Sequence, residues 1–95
     1  MDTITKSSVI DFFTGSGIAT ATAAPIVAPE SAPQTVYKGV RLRAVDAIYV
    51  GPRGVTAATG YELPAGSELF LPVNDLSKVY VVSSSGGGAY SWIAN

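Results

Sequence analysis

Val36-Tyr37-Lys38-Gly39-Val40-Arg41-Leu42-Arg43-Ala44 alternates in polarity, with Val40, Leu42 and Ala44 on one side of an extended chain and Arg41 and Arg43 on the other. A period of two with one apolar and one charged face marks a half-buried β-strand, so a strand is predicted over 36–44. The pattern recurs toward the C-terminus. A strand over 47–51 stops at Gly51-Pro52-Arg53-Gly54, where proline holds one dihedral and glycine permits positive φ. Tyr61 to Leu63 reads as a short strand turning at Pro64-Ala65-Gly66, expected as a type I turn. Glu68 to Val73 alternates with Leu69, Leu71 and Val73 inward and Glu68, Phe70 and Pro72 outward. Pro72 lacks an N–H for a ladder, which predicts an edge strand.

Asn74-Asp75-Leu76-Ser77-Lys78 reads as a corner in which Asp75 accepts from backbone amides. Val79 to Ser83 is the most apolar segment and is expected at the centre of a sheet. Ser84 to Gly88 is expected as a flexible hairpin loop. The last strand, 89–94, then carries Tyr90 and Trp92 on one face and Ile93 on the other. Six short strands at this spacing predict an all-β chain, a small β-sandwich or partly open barrel. Most of Tyr49, Tyr61, Phe70, Tyr80 and Trp92 are expected in its core.

Upstream the grammar changes. Val9, Ile10, Phe12 and Phe13 form an apolar cluster that reads as a strand or one helical turn, and both Phe residues are expected to be buried, on their own domain or on a neighbour, because leaving such a side chain in water costs roughly 1.5–3 kcal/mol. From Gly15 to Thr35, Pro25, Pro29 and Pro33 recur among Ala, Thr and Ser, which forbids a regular helix and favours polyproline-like or edge-strand geometry. The expected organisation is an extended N-terminal arm over 1–35, ordered by a neighbour, and a β domain over 36–95. The uncharged run from Phe12 to Pro29 is too rich in Gly, Pro, Thr and Ala to predict a membrane span, and the polar residues 1–8 do not resemble a secretory leader.

The chain has 95 residues, six basic and seven acidic side chains, a net charge of -1, and no Cys or His. No strong field is present to hold nucleic acid or an anionic membrane, and Lys38, Arg41 and Arg43 read as a solvated or subunit-contact face. A β unit of this size has a marginal core. Disulfides and a His- or Cys-based metal site are absent, so oligomerisation or docking on a larger body is expected to supplement it. Usual nucleophile–base pairs cannot be built without His or Cys. Ser77 and Lys78 are chain neighbours whose side chains diverge. Asp46, Glu62, Glu68 and Asp75 are scattered over turns and wet faces, and Ser83-Ser84-Ser85-Gly86-Gly87-Gly88 lacks the Lys of a phosphate loop. Neither a catalytic residue nor a metal or cofactor is predicted.

Ile48-Tyr49-Val50-Gly51, Gly54-Val55-Thr56, Gly60-Tyr61-Glu62-Leu63-Pro64-Ala65-Gly66 and Leu76-Ser77-Lys78-Val79-Tyr80-Val81 together resemble small virion proteins of tailed bacteriophages, over about half of the chain. The resemblance implies a capsid cement or decoration protein, made in the host cytoplasm and placed on the capsid surface of the virion. Such a protein bridges junctions between major capsid protein subunits, and a homotrimer is the self-association it implies. Pro52-Arg53 and the proline-rich arm depart from the pattern. The residues expected to meet a partner are Phe12, Phe13, Ile26, Val27, Arg41, Arg43 and Phe70. Two other roles are carried forward: a carbohydrate-binding or host-attachment module using Tyr61, Tyr90 and Trp92 as a stacking surface, and a neck or tail component of the virion.

Overall fold

The computed structural model describes residues 12–27 and 35–95. These residues form eight strands: β1 (Phe13–Ala19), β2 (Ala24–Pro25), β3 (Val40–Ala44), β4 (Ile48–Gly51), β5 (Tyr61–Leu63), β6 (Glu68–Leu71), β7 (Tyr80–Val82) and β8 (Gly88–Ala94), with a 3-10 turn over Leu76–Lys78. They build two antiparallel four-stranded sheets, ordered β1-β8-β3-β6 and β2-β7-β4-β5. The all-β class holds, as an open pair of sheets without barrel closure.

The strand count is higher than expected because residues 13–19 and 24–25 belong to the sheets. β1 pairs with β8 along its whole length, from Phe13 opposite Ala94 to Ala19 opposite Gly88. β2 pairs with β7 at Ala24–Val81 and Pro25–Tyr80, and Pro25 sits on an edge strand, where proline is tolerated. The predicted arm over 1–35 is therefore corrected for its described part: residues 13–19 and 24–25 are structural strands, not a leader. Val9, Ile10 and residues 28–34 lie outside the described residues.

Among the described residues only β4 and β5 form a hairpin; the other strands that follow one another in sequence lie in different sheets. That corrects the loop at 84–88, which carries the chain from β7 in one sheet to β8 in the other. Its base is the buried Ser83, whose Oγ accepts from the N–H groups of Ser85 and Gly87 at 3.3 and 3.4 Å. β3 begins at Val40 and not Val36, because Gly39 has φ +132°, a region L side chains rarely adopt. There the chain bends so that the N–H groups of Tyr37, Lys38 and Gly39 all donate to the Asn95 carbonyl, at 3.1, 2.8 and 3.3 Å. At 64–67 the Ser67 N–H donates to Pro64 O at 3.0 Å while Gly66 has φ +85°. Positive φ at the third residue is what a type II turn requires, in place of the expected type I.

The core lies between the sheets. Val40, Leu42 and Ala44 of β3 are fully buried against Ile48, Val50, Leu63 and Val81 from the second sheet, with Val36, Leu76 and Val79 closing one end. The inward and outward assignment of Glu68 to Val73 holds, and β6 is an edge, as Pro72 indicated. β7 lies inside its sheet, as its apolar text predicted. The aromatic expectation fails: none of Tyr49, Tyr61, Phe70, Tyr80 and Trp92 is buried, and Tyr90 is the buried aromatic.

Candidate functional site

Alternation in β3 turns Arg41 and Arg43 to the outer face of the first sheet, and register sets what stands beside them. Arg41 lies between Ile93 of β8 and Phe70 of β6; Arg43 lies between Ser91 and Glu68. β1 continues the rows with Thr14 opposite Ile93 and Ser16 opposite Ser91. The result is a graded surface, apolar with one cation at the Arg41 end and small and polar beyond it.

Phe12, Phe70 and Ile93 are 66%, 45% and 42% exposed, and with Arg41 and Gly39 they line one shallow depression. The Arg41 guanidinium stands 5.7 Å from the centroid of the Phe70 ring. It also approaches the Glu68 carboxylate at 3.7 Å, with both side chains about half exposed, so this pair orients Arg41 and adds little stability. A second open depression, between Thr14, Ser16, Ser91, Arg43 and Glu68, adjoins the first.

Of the residues expected to meet a partner, Phe12, Arg41, Arg43 and Phe70 are thus gathered on one face. Phe12 is not buried on its own chain, which leaves the expected burial to a neighbour. Phe13 points the other way, into the space between the sheets, where its ring meets Trp92 edge-on at 5.8 Å and 88°. Ile26 is a core residue whose N–H donates to Val79 O at 3.0 Å, and Val27 packs on that core; Ile26 is therefore removed from the surface set. Ile93 was not singled out by sequence, although its place opposite Tyr90 and Trp92 in the alternation of β8 was the available signal.

The polar groups considered for chemistry are engaged locally. Ser77 Oγ donates to Asp75 Oδ1 at 2.7 Å, the Ser77 N–H donates to the same oxygen at 2.9 Å, and Lys78 Nζ donates to Asn74 Oδ1 at 3.1 Å. Ser77 and Lys78 accordingly belong to a capped corner. These bonds, the hydroxyl first, hold the Asp75 carboxyl below its ordinary range, and the nearby Lys78 charge adds to them. Asp46 Oδ2 accepts from the Ala89 N–H at 3.1 Å, fastening the β3–β4 connection to β8. Among the described residues no group of three His, Cys, Asp or Glu side chains converges to hold a metal ion.

The stacking surface expected of a carbohydrate module is not assembled. Tyr90 is buried, where desolvation raises its pKa, Trp92 lies half-buried between the sheets, and Tyr61 belongs to the second sheet. No helix among the described residues is long and apolar enough to cross a membrane. Compared with known proteins, the chain matches no family model, no curated protein sequence and no solved structure.

Proposed function

We propose that this chain is a docking protein of the cement or decoration kind, which binds across junctions of major capsid protein subunits in a tailed-phage head and bridges them without covalent chemistry. The phage assignment rests on the sequence resemblance. The observation that carries the docking role is the cluster of Phe12, Arg41, Phe70 and Ile93 on one open sheet face. Exposed aromatic rings beside an arginine are the residue types that dominate binding energy at protein interfaces. A flat face of this extent gives modest affinity per copy, and many copies on one shell add their contacts through multivalency.

The test is binding of the full chain to heads of its own phage assembled without it. Phe70→Ala and Arg41→Glu are exposed-site changes that keep the fold, and each is expected to weaken binding at least about tenfold. Tyr61→Ala, on the second sheet, should bind as the unchanged chain does. Heads that ignore the unchanged chain, or that bind all three variants equally well, would refute the proposal.

A further inference from the structure

The hydrogen-bond phase of the first sheet leaves one edge open. Val45 N–H donates to Ala89 O at 2.9 Å, and Gly39 and Asn95 exchange N–H and carbonyl at 3.3 Å each, so Ala89, Ser91, Ile93 and Asn95 turn their backbone groups to β3. By antiparallel alternation Gly88, Tyr90, Trp92 and Ala94 turn theirs to Ala19, Gly17, Gly15 and Phe13 of β1. Thr14, Ser16 and Ile18 therefore aim their N–H and carbonyl groups away from the sheet. All three are exposed, and among the described residues no strand lies on that side of β1.

The other sheet edges carry guards against pairing: Pro25 in β2, Glu62 in β5, and Glu68 with the following Pro72 at β6. Charge and proline are the devices that keep edge strands from adding to one another. Phe13-Thr14-Gly15-Ser16-Gly17-Ile18-Ala19 has neither, and at seven residues it is longer than the other three edges.

We infer that β1 pairs with β1 of a second copy, antiparallel and centred on Ser16, joining two first sheets into one continuous sheet. That register overlaps the whole strand. Ser16 faces its own counterpart, Thr14 and Ile18 face each other in both directions, and each of these pairs exchanges two backbone hydrogen bonds. On the inner side Gly15 meets Gly17 and Phe13 meets Ala19, so no like charges and no pair of bulky side chains oppose one another. The small side chains of β1 form no pockets with which to read a foreign strand. A second copy needs none, because two-fold symmetry supplies the match. The contact is isologous and builds dimers, not the three-fold ring that the resemblance implies, and it stands independently of the capsid reading.

Sedimentation of the full chain from micromolar to submillimolar concentration should give twice the monomer mass of 9.7 kDa. Ser16→Lys sets two ammonium groups directly across the pair. Ser16→Pro removes an N–H that serves only the free edge. Both should sediment as monomers with unchanged circular dichroism, while Glu62→Lys on the second sheet stays dimeric. In the unmodified chain, hydrogen exchange at the Thr14, Ser16 and Ile18 amides should slow as concentration rises. A monomer or trimer throughout the range, a dimer that survives folded Ser16→Lys, or exchange at these three amides that ignores concentration would each overturn the inference.

Discussion

At Gly15 a Cβ would collide with the indole ring of Trp92, and at Gly17 it would come within 2.6 Å of Tyr90 Oη. The two glycines are spaces that these aromatic rings fill from the neighbouring strand, so absence of a side chain is what lets β1 lie against β8. Gly15→Val should destabilise the fold by about 1–3 kcal/mol through overpacking. It should also shift the emission of Trp92, the single tryptophan, to the red, as read by fluorescence-monitored urea unfolding. Asp75 makes the stability of the fold depend on pH in acid. Its folded pKa lies below the ordinary value of 3.8, so in acid the unfolded chain binds the extra proton. The stabilisation is complete above that ordinary value and is lost as pH falls through the folded pKa. Asp75→Asn keeps an acceptor for the Ser77 amide without titrating, and its unfolding midpoint should fall less steeply with acid over that window.

β1 and β2 change what the N-terminal third of the chain is for. β1 covers Trp92 and Tyr90 and completes the ladder of β8, and Ile26, just after β2, plugs the core beside Val79. Removing residues 1–35 would strip two strands and expose those side chains, so the remainder should lose cooperative unfolding or aggregate, as a urea titration followed by circular dichroism would report. The division into an arm over 1–35 and a β domain over 36–95 does not follow the sheets, because β1 and β2 are edge strands laid on β8 and β7. Gly15-Ser16-Gly17 has linker composition, and the rings that make it a strand stand more than seventy positions away in the chain. Local composition holds no trace of that pairing.

Across the whole molecule, alternation made much of the fold legible. The outward set Arg41, Arg43 and Phe70, the buried set Val40, Leu42 and Ala44, the edge at Pro72, the interior place of β7 and the Asp75 corner all follow from side chains that alternate at every residue or bond within a few positions. These are local rules, and the sequence alone determined them. Which strands share a sheet, that the 84–88 loop crosses between sheets, that Phe12 joins Arg41 and Phe70 while Phe13 turns to Trp92, and that β1 keeps an unguarded edge were decided only by tertiary structure. The physical reason is that strand pairing is made between segments far apart in the chain, by backbone groups that every residue carries alike. A side chain can therefore announce which face it prefers, but not which strand will lie beside it.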